Sequence, residues 1–140
     1  MDAYLELKRF SDVLEEVAHE FGIPICVTVM DPHGHVMLLR RMPGSPVLAL
    51  EMAERKAYTA QVMGMETAAL APMVMPGEPL YTLTSSSSRL IAFGGGTCVR
   101  YGEASYGIGI SRGATAQDMK MLKAAQDRFN TGDWAESVLT

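Results

Sequence analysis

The sequence predicts an α/β chain of the α+β kind, with an antiparallel sheet of about five strands covered by helices. Two observations carry this. Short apolar runs are joined by turns too brief for a crossover, which makes neighbouring strands antiparallel. Segments with apolar residues at helical spacing alternate with them in the order helix, two strands, two helices, three strands, helix. The chain of 140 residues suits one domain, read here over residues 1–130, with residues 131–140 as a C-terminal tail.

Each element has its own warrant. Leu7, Phe10, Leu14, Val17 and Phe21 form one apolar stripe, and Asp12, Glu15, Glu16, His19 and Glu20 fill the opposite side. That predicts an amphipathic helix over about residues 3–20, ended by Gly22. Ile23 to Asp31 is apolar on both alternating sets, so it reads as a strand buried on both faces. Asp31-Pro32-His33-Gly34 has turn composition, and His35 to Arg41 returns as a hairpin partner. Leu50, Ala53, Ala57, Ala60 and Gly64 give the helix over residues 47–63 a small-residue stripe. Met52, Lys56, Thr59 and Met63 form a second stripe beside it. A short helix follows over residues 67–74, and Ser85 to Ser88 reads as a loop. Residues 89–93, 97–101 and 105–111 are the last strands. Thr115-Ala116-Gln117-Asp118 resembles a capping box that opens a helix over residues 116–129. Trp134 is a candidate to dock from the tail.

Composition excludes several classes. The net charge is −4 and the basic residues are scattered, which leaves no footprint for nucleic acid or an anionic membrane. No apolar run approaches a membrane span, and an acid at position 2 argues against a signal peptide, so a cytoplasmic location is expected. Cys26 and Cys98 read as reduced, buried thiols. The eleven methionines point to adaptable core packing, or to an apolar subunit or ligand surface.

The candidate chemistry is sparse. Gly94-Gly95-Gly96 lacks the Lys-Ser/Thr pair and following helix of a phosphate loop, so it reads as a turn from one strand to the next. Gly107-Ile108-Gly109-Ile110-Ser111-Arg112-Gly113 puts Arg112 where a dinucleotide fingerprint needs glycine. Ser111, Arg112 and Gly113 do precede a helix, where free amides and an arginine can hold a carboxylate or phosphate. The alternative is a simple cap beside a solvated arginine. His19 is either a solvated surface histidine or, at an oligomer interface, a ligand to a metal or haem iron. His33 and His35 flank the hairpin turn without an evident third ligand. Lys56 is a candidate nucleophile or base, or a lysine snorkelling beside the sheet. Glu51 and Arg55 suit a surface ion pair.

Taken together, ordered pieces of the chain resemble the GlcG/HbpS family of small haem-binding or haem-degrading-like proteins and the C-terminal domain of PduO. They are Gly22-Ile23-Pro24-Ile25, Arg41-Met42-Pro43-Gly44-Ser45, Lys56-Ala57 with Thr59-Ala60, Pro76-Gly77-Glu78-Pro79-Leu80, Phe93-Gly94-Gly95-Gly96 and Gly107 to Ser111. The resemblance covers roughly residues 5–128. It implies a profilin-like sandwich, a homo-oligomer from dimer to octamer, haem or a corrinoid as ligand, and a setting in diol, glycerol or glycolate metabolism. It carries over no catalytic residue. Cys98 and Arg112 depart from the family pattern.

Three functions follow as expectations. The first is a cytosolic oligomer that binds haem or a related tetrapyrrole in an accessory or sensing role, with His19 on the iron and Lys56 and Arg112 near propionates. The second is an enzyme acting on a small carboxylate or aldehyde around Lys56 and Arg112. The third is an accessory subunit of a diol- or glycerol-dehydratase system with no ligand of its own.

Overall fold

A computed structural model describes residues 2–112 and 115–131 of the chain. The first helix, α1 (Ala3–Phe21), starts at Asp2, whose side chain accepts from the Tyr4 amide at 3.0 Å. It stops at Gly22, which takes the left-handed conformation at φ 71° that favours glycine. Leu7, Phe10, Leu14 and Val17 are buried as their spacing requires. Phe21 is not: the stripe runs out where the chain turns at Gly22, and its ring is exposed.

Strands β1 (Cys26–Met30) and β2 (Val36–Arg41) follow, then α2 (Val47–Met63), α3 (Thr67–Leu70) with a 3-10 turn (Ala71–Val74), and α4 (Leu83–Ser86). The chain returns through β3 (Gly96–Tyr101) and β4 (Ala104–Ser111) to α5 (Thr115–Thr131). The sheet order is β2-β1-β4-β3 and every neighbouring pair is antiparallel. β1 is central and buried along its whole length, as its two apolar faces predict.

Three expectations give way. The sheet has four strands among the described residues, because residues 89–93 form no ladder. Side chains of α2 take the backbone groups that a strand would pair: Thr59 Oγ1 accepts from the Ile91 amide at 3.0 Å, and Arg55 donates to the Leu90 carbonyl at 3.2 Å. The serine run is not wholly loop. Ser85 and Ser86 lie in α4, where their hydroxyls bond back to the Thr82 carbonyl. The glycine triplet does not join two strands; it leads from the irregular segment into β3, where Gly96 pairs with Gly109.

The sheet divides two unequal layers. On one face α1 and α5 cover Val27, Val29, Val99, Ile108 and Ile110, and Phe10 meets Phe129 edge to face at 5.4 Å. On the other face lies α2, with Ala49 and Ala53 against Cys26, and Thr67 of α3 beside it at Gly96. It lies very close. A Cβ at Gly107 or Gly109 would strike the backbone carbonyls of Ala57 and Ala53. The small-residue stripe of α2 is thus the counterpart of two glycines in β4, and close approach takes the place of interdigitated large side chains. Trp134 lies outside the described residues, and so does the side chain of Thr115.

Candidate functional site

A buried ion pair grows from this close packing. Lys56 sits on the face of α2 next to β4 and is only 2% exposed. Its ammonium donates to Asp118 Oδ2 at 3.0 Å and to the Ile110 carbonyl at 3.1 Å. Asp118, on α5, is fully buried. The pair therefore ties the helix on one face of the sheet to a helix on the other.

The glycine triplet makes room for this tie. A Cβ at Gly95 would come within 2.9 Å of Lys56 Nζ and 3.2 Å of Asp118 Cβ. A Cβ at Gly96 would come within 2.6 Å of the Lys56 carbonyl oxygen, and one at Gly94 would collide with Met119 on α5. Gly95 also holds φ +119°, a conformation that L side chains rarely adopt. Its carbonyl still accepts from the Ile110 amide at 2.8 Å.

Burial sets the electrostatics of the pair. Removal from water pulls Lys56 below its ordinary value of 10.5 and lifts Asp118 above 3.8, and the attraction of each for the other opposes both shifts. The lysine does not snorkel to solvent as its position suggested. Its amino group is committed, so neither a propionate nor a substrate reaches it unless the pair opens. Asp118 turns inward to Lys56; the Thr115 side of the expected capping box lies outside the described residues.

The backbone of Arg112 reaches the same carboxylate. The Arg112 amide donates to Asp118 Oδ2 at 3.4 Å, while its side chain is exposed. That amide, expected to hold an external anion, is answered by the chain's own Asp118. Ser111 is buried, and its Oγ has no partner among the described residues, as is also true of Asp118 Oδ1. Gly113 lies outside the described residues. Lys56 and the Arg112 amide thus meet at an internal charge, Asp118.

His19 stands apart, on the exposed side of α1 and away from the sheet. It borders a surface cleft of about 530 Å³ with Asp12, Glu15, Glu16, Glu20 and Met42. Two arginines offset much of the acidity. Arg40 on β2 donates to Asp12 at 2.6 Å and to Glu15 at 3.0 Å, and Arg128 grips Glu20 with two bonds of 2.8 and 2.7 Å. His33 and His35 are exposed in the hairpin. There their amides bond to Asp31 Oδ1 at 2.8 and 3.0 Å, an Asx-type turn. Among the described residues no group of three side chains is arranged to hold a metal ion.

Cys26 is buried, and burial pushes its thiol up. Cys98 is half-buried, a correction to its reading as a core thiol, and its sulfur shares a hydrogen bond with Ser105 Oγ at 2.6 Å. Arg55 is more than a surface partner of Glu51, which it meets at 3.6 Å, because it also binds the Leu90 carbonyl. Asp118 was missed as a site residue. Its only local signal was a carboxylate in a helix whose apolar positions would bury it.

Fold and site define a class: a single-sheet sandwich with one helix seated on glycines and a buried Lys-Asp tie between layers. The chain belongs to the family described as haem degrading protein HbpS-like, whose model matches residues 6–127. It is 33% identical over 132 residues to corrinoid adenosyltransferase PduO of Salmonella typhimurium, covering 93% of this chain and 39% of that protein. It therefore spans well under half the length of that relative. It is 30% identical over 125 residues to an uncharacterized 15.0 kDa protein in the dhaT-dhaS intergenic region of Citrobacter freundii, covering 88% of each. Among solved structures, the crystal structure of a PduOC:heme complex superposes with a TM-score of 0.85 at 33% identity, covering 94% of this chain and 96% of that one. No helix among the described residues is long and apolar enough to cross a membrane.

Proposed function

We propose that the protein is a small cytoplasmic homo-oligomer that binds haem or a related tetrapyrrole in an accessory or sensing role, in diol or glycerol metabolism. The observation that carries this is the exposed imidazole of His19 at the rim of its cleft. Likeness over nearly the whole chain to a domain solved with haem supports it. The relatives named for a corrinoid adenosyltransferase and for the dhaT-dhaS region support the metabolic setting.

The residues fit haem in part. His19 offers a ring nitrogen to iron. Met42 is the one apolar side chain among the cleft residues, and its sulfur already accepts from the Ile25 amide at 3.4 Å. One chain therefore lacks two apolar walls for a flat macrocycle. A second copy facing α1 would supply the other wall, which is why the reading includes an oligomer. Arg112, exposed, remains a propionate partner only from a neighbouring copy; Lys56 is held by Asp118. Bound haem would supply the iron centre, and this chain's residues would hold and orient it.

Titration with hemin should give a saturable Soret shift at micromolar protein, and His19→Ala should abolish it. No saturable shift in the wild type would end the reading. An unchanged shift in His19→Ala would move the iron to another ligand. The enzymatic alternative is weakened by the sealing of Lys56. The accessory-subunit alternative draws support from exposed Met73, Met75 and Phe93; it predicts co-purification with a dehydratase and no response to hemin.

A further inference from the structure

A second cleft lies on the edge of the molecule away from His19, between α2 and the irregular segment that precedes β3. It encloses about 450 Å³ and is bordered by Met52, Arg55, Val74, Thr84, Leu90 and Phe93, among others. Its walls are apolar except at Arg55 and Thr84. The ring of Phe93 is 53% exposed, a large apolar surface left to water. A neighbouring cleft of about 530 Å³ shares Val74, Ala92 and Phe93 and extends the apolar surface towards Met75 and Met119.

Arg55 makes the cleft more than a greasy groove. Its guanidinium carries five N–H donors. One nitrogen donates to the Leu90 carbonyl at 3.2 Å, and another stands 3.6 Å from Glu51, whose side chain is 66% exposed. Nε is shut off from solvent and has no acceptor among the described residues. A buried donor without an acceptor carries a desolvation cost, so the fold does not use this guanidinium in full. Arginine presents its donors in a fork that matches a carboxylate. No acidic side chain is among the residues that border this cleft.

We infer that this cleft binds an amphiphilic monocarboxylate, with its head group on Arg55 and its apolar body along Met52, Val74, Leu90 and Phe93. The head needs a cation with spare donors, and the body needs an apolar wall of this length; the cleft supplies both within one chain. A cleft of this size falls in the range of small-molecule sites, roughly 300–1,000 Å³. The inference does not rest on haem binding, since no residue of this cleft borders the one at His19.

Isothermal titration below the micelle concentration tests it with dodecanoate and dodecanol, which differ only in the head group. Wild type should bind dodecanoate saturably and about tenfold more tightly than dodecanol, the scale of a charge-assisted pair. Arg55→Met should erase that preference, so that the two ligands bind alike, while Phe93→Ala should weaken both ligands. No saturable binding, equal affinity for the two ligands in the wild type, or an unchanged preference in Arg55→Met would overturn the inference. Should Arg55→Met fail to fold by circular dichroism, the wild-type comparison and Phe93→Ala decide. Should a second copy cover the cleft, neither ligand binds and the inference falls.

Discussion

Gly95 combines two demands that no other residue meets at once. Its φ of +119° excludes ordinary L side chains, and a Cβ there would press within 2.8 Å of the Ile110 carbonyl oxygen and 2.9 Å of Lys56 Nζ. Gly95→Ala should therefore cost roughly 2–4 kcal/mol, a sum of backbone strain and overpacking, read from urea denaturation. A loss below ~1 kcal/mol would mean that the tie does not depend on this opening. Asp31 gives a second residue-scale prediction. Amide hydrogen bonds from His35 and His33 hold its carboxyl below the ordinary 3.8. A lowered folded value means that the ionised form supports the fold. The stability gap between wild type and Asp31→Ala should be constant above about pH 5, and should shrink as pH falls through 3.8 to the lower folded value. A gap that persists unchanged to pH 2 would refute it. The glycines were conspicuous in the sequence, and their role was not. It depends on a lysine and an aspartate 62 residues apart, and no local spacing links those two.

At the scale of elements, the Lys56–Asp118 tie is better described as a fastening than as a reserve of stability. Breaking one side of a buried pair leaves an uncompensated charge, so Lys56→Met should cost about 3–5 kcal/mol. The double replacement Lys56→Met with Asp118→Leu should lie within ~1 kcal/mol of wild type, because an apolar pair of similar volume carries no desolvation cost. Additive losses in a double-mutant cycle would show that the two do not act together. The elements themselves were largely legible. Helical periodicity located α1 and α2 closely, and two-sided apolarity located β1. Residues 89–93 misled because their apolar run is genuine while their hydrogen bonds are spent on Thr59 and Arg55. A strand is defined by its partners, and those are invisible in a local pattern.

At the scale of the molecule, the order of elements sufficed to predict an antiparallel sheet with helices on both faces. The two faces are unequal in a way composition does not reveal: one has a packed apolar core, and the other has a helix lying on glycines. Exposed apolar residues remain away from the cleft at Arg55, with Val47, Leu48 and Tyr81 among them. Light scattering after size exclusion should give a mass above that of one chain, since surfaces of this kind are usually covered in an assembly. A monomer at high micromolar concentration would contradict this and would remove the second wall that the haem reading needs.

The tie through the glycine opening also has a history in time. Lys56 lies on α2 and Asp118 on the last described helix, so the two meet only once α5 has docked. Until then the ammonium is hydrated and costs the chain nothing. Contacts of such long sequence separation form late on the way to the native state. The tie should then be absent at the folding barrier and present only beyond it. It acts as a latch: its loss in Lys56→Met should appear as faster unfolding while refolding keeps its pace.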